Sequence, residues 1–331
     1  MTTPARISYA VLLVTLLLVA FFHLGVPFLA VLFSYFTLRR LYGLTKSKWK
    51  GLVLFLLLVV AIGYAGVHFT RAAVKALPDI AENSIPSASA WAQARQIELP
   101  FTDFESLRAL VIDTLKEQAH YIQNVAQFAR AITTTLVFIL IGMVIAVSLF
   151  FNSRIDSFEP RASTDNLYAV ITRELADRFH DFYRSFGTVI TAQISISLIN
   201  TVLTAIFVLA AGLPHAAVII TITFLCGLLP IVGNLISNTI IVCVAFTISL
   251  KMAGFALIFL IAVHKLEYFL NSKIIGDRIR NPVWLTLIAL IIGEQLMGIP
   301  GMILAPVVLN YLRVELSKIP SVRPHQLDAA A

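Results

Sequence analysis

With 331 residues, of which 59% are hydrophobic and only 13% charged, and a mean hydropathy of +0.88, the chain carries more apolar surface than a water-soluble domain of its length can bury. It reads as an all-α integral membrane protein: strand barrels alternate apolar and polar residues, and the long apolar runs here do not. The formal net charge of +7 is no sign of nucleic acid in such a chain, because basic residues of membrane proteins chiefly set orientation.

In chain order, apolar runs long enough to be helical spans lie near residues 7–22, 24–38, 51–69, 132–151, 186–211 and 254–270. The first could be mistaken for a signal peptide, since Arg6 precedes it. No small-x-small cleavage site follows, and His23-Leu24-Gly25 leads straight into more apolar chain. The first two spans are therefore expected to stay and to form a tight hairpin within an N-terminal unit, residues 1–69.

Arg39, Arg40, Lys46, Lys48 and Lys50 crowd the short segment after the second span. The positive-inside rule makes that segment cytoplasmic, and the N-terminus with it. The third span then exits, residues 70–131 form an extracytoplasmic helical insert, residues 132–151 return, and residues 152–185 are cytoplasmic. The insert's own Arg71, Lys75, Arg95, Arg108, Lys116 and Arg130 run against this orientation, but the rule weakens over long loops.

Pro78, Pro86 and Pro100 with neighbouring Ser, Ala and Asn predict irregular structure and short helices over residues 70–100. Thr102-Asp103-Phe104-Glu105 has capping-box spacing. Leu107, Val111, Leu115, Ile122, Val125 and Ala129 follow on one helical face toward the fourth span. After Ser163-Thr164-Asp165, apolar Leu167, Val170, Ile171, Leu175, Phe179, Phe182, Tyr183 and Phe186 oppose Arg173, Glu174, Asp177, Arg178, Asp181 and Arg184. This predicts an amphipathic cytoplasmic helix lying at the lipid headgroups, with Arg173–Asp177 and Glu174–Arg178 pairs four apart.

Residues 186–312 form the expected transport core, with a cytoplasmic tail at 313–331. Two apolar stretches in it are broken by proline and glycine: Leu229-Pro230-Ile231-Val232-Gly233-Asn234 within 216–249, and Gly298-Ile299-Pro300-Gly301 within 284–312. Backbone groups freed at membrane depth survive only inside protein or beside a water-filled cavity, and matched breaks in two halves of a chain point to a transport site. Each stretch is either one kinked span or a re-entrant hairpin. Hairpins keep Lys273, Arg278, Arg280, Arg313, Lys318 and Arg323 cytoplasmic, and the arms, about 11 to 16 residues, are short for a full crossing. The result is an inverted repeat whose two re-entrant hairpins approach the midplane from opposite faces.

An ionisable side chain at a helix centre costs at least about 2.5 to 3.5 kcal/mol, so each needs a reason. Glu294, beside Gln295 and just before the second break, is either a proton, cation or substrate contact or a cap for freed N–H groups. Asn234 and Asn238 share a helical face after the first break; Gln193 and Asn200, seven apart, share one on the preceding span. They line a polar-solute cavity or bond across to another helix. His264, Lys265 and Glu267, with Asn271 and Asp277 beyond, form either a proton relay or a buried pair. The candidate substrate or ion contacts are thus Gln193, Asn200, Pro230, Gly233, Asn234, Asn238, Glu267, Asn271, Glu294, Gln295, Pro300 and Gly301. Cys226 and Cys243 read as small buried hydrophobes. The histidines lack metal-ligand spacing, and there is no Walker loop or nucleophile elbow. No catalytic residue, metal or cofactor is expected.

Gly187 through Gly212-Leu213-Pro214, Gly227-Leu228-Leu229-Pro230-Ile231-Val232-Gly233-Asn234, Glu267 to Asn271 with Ile274-Ile275-Gly276, and Gly298-Ile299-Pro300-Gly301-Met302-Ile303-Leu304-Ala305-Pro306 together resemble the autoinducer-2 exporter family of bacterial membrane proteins. Ser272 departs from a proline common in that family. The resemblance covers nearly the whole chain and implies a homo-oligomeric, pentameric carrier of the bacterial inner membrane. It leaves two substrates open, since some members export the furanosyl signal and others resemble cation/proton antiporters.

The expectation is a non-enzymatic secondary transporter exporting a small polar solute by alternating access. Sodium/proton antiport through Glu294 is the alternative, and a passive pore is a third option. A scaffold acting through residues 70–131 is the reading from another class.

Overall fold

The computed structural model describes residues 3–96, 105–106, 125–152, 167–230, 232–275 and 282–318. Among them every regular element is helical: α1 (Thr3–Phe21), α2 (Gly25–Thr45), α3 (Lys48–Gln93), α4 (Val125–Phe151), α5 (Leu167–Ala210), α6 (Ala216–Gly227), α7 (Val232–Ile248), α8 (Leu250–Ile275), α9 (Val283–Met297) and α10 (Ile299–Ser317). Thr3–Phe21, Lys48–Ile80, Arg130–Phe151, Leu167–Ala210 and Ile299–Ser317 are long and apolar enough to cross a membrane. The chain is built as a multi-pass membrane protein.

Among the described residues three bodies of packing organise it. Leu38, Phe55 and Phe150 join α2, α3 and α4. There Gly142 of α4 comes so close to α2 that an added Cβ would lie 2.6 Å from the Ala30 Cβ, the close approach that small residues permit between helices in lipid. Leu12, Leu29, Leu32, Phe182, Phe186, Ile190, Leu304, Val307 and Tyr311 join α1, α2, α5 and α10. Ala73, Ala76, Ile80, Val208, Ile219, Ile241, Val244 and Ala256 join α3 with the far end of α5 and with α6, α7 and α8.

Four expectations change. The first two spans do not form a tight hairpin: beyond the turn at residues 22–24, where His23 has φ 52°, α1 packs chiefly on α5 and α2 on α4. Helix α3 continues through the region expected to be irregular, with Pro78 and Pro86 inside it. Each internal proline costs about 3 kcal/mol relative to alanine. Burial of Ala73, Ala76 and Ile80 and an alanine-rich composition work in the opposite direction. The amphipathic stretch from Leu167 and the span from 186 are one 44-residue helix, α5, about 66 Å long at 1.5 Å per residue. Finally, α10 has 19 residues, longer than the arm expected there. The capping box at 102–105 and the helical face over 107–124 fall outside the described residues, apart from Glu105.

Both broken stretches turn back on themselves. Gly233 lies seven residues after Cys226, which in a straight helix would separate them by about 10 Å. Instead a Cβ added to Gly233 would sit 1.6 Å from the Cys226 carbonyl oxygen. Gly293 and Gly301, eight apart, face each other in the same way, an added Cβ on Gly301 falling 1.8 Å from the Gly293 oxygen. α6–α7 and α9–α10 are therefore helical hairpins closed by glycine.

The hairpins dock on opposite ends of α5. Gln193 bonds Gly227 and Ser197 bonds Phe224, so α6 runs antiparallel to α5 with its tip toward the middle of that helix. Arg178 meets Glu315 and Phe182 meets Tyr311, so α10 also runs antiparallel to α5, with its C-terminal end at the start of the rod and its tip toward the same middle.

Candidate functional site

The first break can be followed bond by bond. In an uninterrupted helix the Phe224 and Gly227 carbonyls would accept from the N–H groups four residues on. Here the Leu228 N–H goes to Leu225 instead, which takes from the Phe224 carbonyl its helical partner, and Pro230 has no N–H to give to the Cys226 carbonyl. Both carbonyls are met from α5: the Ser197 hydroxyl donates to Phe224 O at 2.7 Å and the Gln193 amide to Gly227 O at 2.7 Å. Of the two roles expected of Gln193, a solute contact or a bond across to another helix, this is the second. Ser197 went unnoticed in the sequence, although it completes the stripe 193, 197, 200 on one face of the helix.

Directly after the tip, Asn234 stands in the first turn of α7. Its amide nitrogen donates to both oxygens of Glu267 on α8, at 3.0 and 2.9 Å. The Asn200 amide of α5 donates to the same carboxylate at 2.9 Å. Three helices thus converge on one carboxylate whose side chain is 17% exposed. Asn200 is only 7% exposed, and its Oδ1 is buried without a partner among the described residues.

The electrostatics of this set are unbalanced. Among the described residues the one basic side chain within 4 Å of the Glu267 carboxylate is His264, with Nδ1 at 3.9 Å and a side chain 69% exposed. Two neutral amides orient the carboxylate but do not cancel its charge. A carboxylate has about four lone-pair sites, so the site presents spare acceptors, on Glu267 and on Asn200 Oδ1, to anything bringing donors or positive charge. Asn238, one turn beyond Asn234, is half-buried and outside the set. Asn271 lies on α8 one turn past Glu267, where side chains are not described.

The second break is built differently. Gly298, with φ 64° and ψ −142°, is the breaker, a conformation open to glycine. Its N–H donates to Glu294 O at 2.6 Å. Pro300 sits in the first turn of α10, where its missing N–H costs nothing, and packs with Met297 against Gly25 of α2. Glu294 and Gln295 are both exposed, with the Gln295 amide donating to Glu294 Oε2 at 2.9 Å. Glu294 does not cap freed N–H groups at the tip and does not join Asn200, Asn234 and Glu267.

A second polar set, of which the spacing foretold only the Glu174–Arg178 pair, ties the far end of this hairpin down. Arg178 is 8% exposed. It donates to Ser8 Oγ at 2.6 Å, to Glu315 Oε2 at 3.0 Å and to Glu174 Oε2 at 2.8 Å, and its Cζ lies 3.5 Å from the centre of the Tyr9 ring. The Tyr9 hydroxyl donates to Glu315 at 2.8 Å, and Lys318 bridges Glu315 and Asp181.

Known proteins place this architecture. A protein of Bacillus subtilis (strain 168) bearing the name "Putative transport protein YdbI" is 31% identical over 167 residues, 49% of this chain and 47% of that one. The alignment thus spans about half the length of that relative. The profile described as AI-2E family transporter matches residues 7–319, which takes in all three helices of the Glu267 site and both hairpins, so the chain belongs to the AI-2E transporter family.

Proposed function

We propose that this protein is a secondary transporter that moves a small polar solute by alternating access, with Asn200, Asn234 and Glu267 as its binding site. One observation carries the reading: a buried-side carboxylate held by two amides at 2.9 to 3.0 Å, beside a helix break, with acceptor capacity to spare. A carboxylate at membrane depth is costly and is kept where it does something. Broken helices that meet near the middle of a membrane protein are where carriers place their sites.

Re-entrant entry of the hairpins from opposite faces fits their docking at the two ends of α5. The proposal includes the remainder of the sequence reading: an inverted repeat, a homo-oligomer in a bacterial inner membrane, and cytoplasmic termini. The family's name makes the autoinducer-2 signal the first solute to try. Antiport through Glu294 gains nothing from its exposed position.

The test is flux in vesicles holding the purified protein. Glu267→Gln, which keeps shape and loses charge, should lower solute flux at least about tenfold, equivalent to roughly 1.4 kcal/mol. Asn234→Ala should do likewise, and Glu294→Gln should leave flux near wild type. Undiminished flux through Glu267→Gln would remove the site, and flux that neither saturates nor responds to a gradient would replace the carrier with a pore.

A further inference from the structure

The corner where α2 gives way to α3 carries cations with no acid nearby in sequence to answer them. Residues 1–78 contain eight Arg and Lys and no Asp or Glu, the first carboxylate being Asp79. Arg40, Lys46 and Lys50 are exposed at the corner, and none of the three has an ion pair among the described residues. Arg40 is oriented without being neutralised: its Cζ lies 5.1 Å from the centre of the Phe36 ring and it reaches the Thr191 hydroxyl at 3.4 Å.

The corner is also rigid. Lys46 is the C-cap of α2, left-handed with φ 55°, its N–H donating to the Tyr42 carbonyl. Gly51 packs on the Tyr42 backbone, an added Cβ lying 3.5 Å from Tyr42 N, so the first turn of α3, and Lys50 with it, is pinned beside the last turn of α2. Around these cations lie exposed apolar surfaces: Leu44 is 80% exposed, and Trp49 is 71% exposed with its ring 5.1 Å from that of Phe151.

We propose that this corner binds the phosphate of an anionic lipid headgroup. Arg40, Lys46 and Lys50 supply the charge, and Trp49 with Tyr42 and Leu44 supply the apolar seat. Uncompensated cations beside the end of an apolar helix sit at the headgroup level, where lipid phosphate is the abundant anion. Free phosphate has the same charge chemistry but gains nothing from an exposed indole and leucine. Amphipathic tryptophan and tyrosine rings suit the boundary between headgroup and chain, so the two kinds of side chain together select lipid.

The test uses the full chain in vesicles of phosphatidylcholine mixed with phosphatidylglycerol, followed by extraction and mass spectrometry of the lipid that stays bound. Wild type should retain phosphatidylglycerol preferentially. Lys46→Gln with Lys50→Gln should cut that preference by about thirty-fold at low salt, and less at high salt. Lys46→Arg with Lys50→Arg should keep it, as should Lys75→Gln in the middle of α3, well away from the corner. Both sites are exposed, and an unchanged unfolding midpoint confirms that the variants fold. Equal retention of the two lipids by wild type, or undiminished preference in the double glutamine variant, would overturn the proposal. Displacement of bound phosphatidylglycerol by inorganic phosphate would overturn the lipid assignment in favour of free phosphate.

Discussion

Gly233 and Gly301 each press a Cα hydrogen against a carbonyl oxygen of the opposite hairpin arm. Alanine at either place has no flexible side chain to push aside, only backbone, so overpacking should cost at least about 1 to 3 kcal/mol. Gly254 has open space around it, and alanine there should gain up to about 1 kcal/mol by helix propensity. Unfolding midpoints in one detergent check all three, with the first two variants falling and the third rising. Lys318 supplies a pH test outside the apolar segments. Burial alone would lower its pKa, but hydrogen bonds to Asp181 and Glu315 and the charges of both outweigh that and raise it. A cation with a raised pKa contributes stability that is fully present below the ordinary lysine value, about 10.4, and is lost as pH climbs through the folded value. Lys318→Met should therefore lower stability at neutral pH and make little difference at strongly alkaline pH. Half-exposure of the ammonium keeps the effect small and salt-sensitive. At this scale Asn234 was legible because it follows a break in an apolar run. Arg178 was not: a helical wheel assigns it to the solvent face, and only the three-dimensional arrangement brings Ser8, Tyr9 and Glu315 over it.

Among the elements, the seam between α5 and α10 invites the sharpest test. It combines apolar packing of Phe182, Phe186, Leu304 and Val307 with the buried Arg178–Glu315 pair at its end. Removing one partner strands the other charge, a loss of about 3 to 5 kcal/mol for buried pairs. Arg178→Gln or Glu315→Gln alone should therefore lower the unfolding midpoint strongly. Arg178→Met combined with Glu315→Leu should recover much of the loss. A double variant as unstable as the sum of the singles would show that the two residues act separately. The apolar runs predicted helices in nearly all the right places, since 20-residue apolar stretches leave few alternatives. Where elements were misread, tertiary packing outweighed local signals. Prolines that would stop an isolated helix are carried within α3, and a polar stretch that suits a membrane surface instead continues into α5 as one helix.

For the whole molecule, the sequence signalled two broken stretches but not their partners. The hairpins occupy different packing bodies, and among the described residues α5 is the helix that contributes to both. Alternating access predicts that cysteines introduced at 226–240 and at 292–304, in a chain otherwise lacking cysteine, are labelled by impermeant thiol reagents from both membrane faces. Solute should shift the balance between faces. Labelling of each tip from a single face under all conditions would exclude alternation. The proposed site was only partly readable beforehand because its carboxylate, Glu267, lies in sequence far from Asn200 and Asn234. Linear spacing could group Glu267 with His264 and Lys265 but could not bring three helices together.

Helix α5 carries a further implication as a lever. One hairpin is bonded to it through Gln193 and Ser197, facing away toward its C-terminal end, and the other is clamped at Arg178 near its start. A stiff rod that rocks about its midpoint swings its two ends in opposite directions. Under the proposed alternating access, a single tilt of α5 would draw one hairpin in as it moves the other out, with no separate signal passed between them.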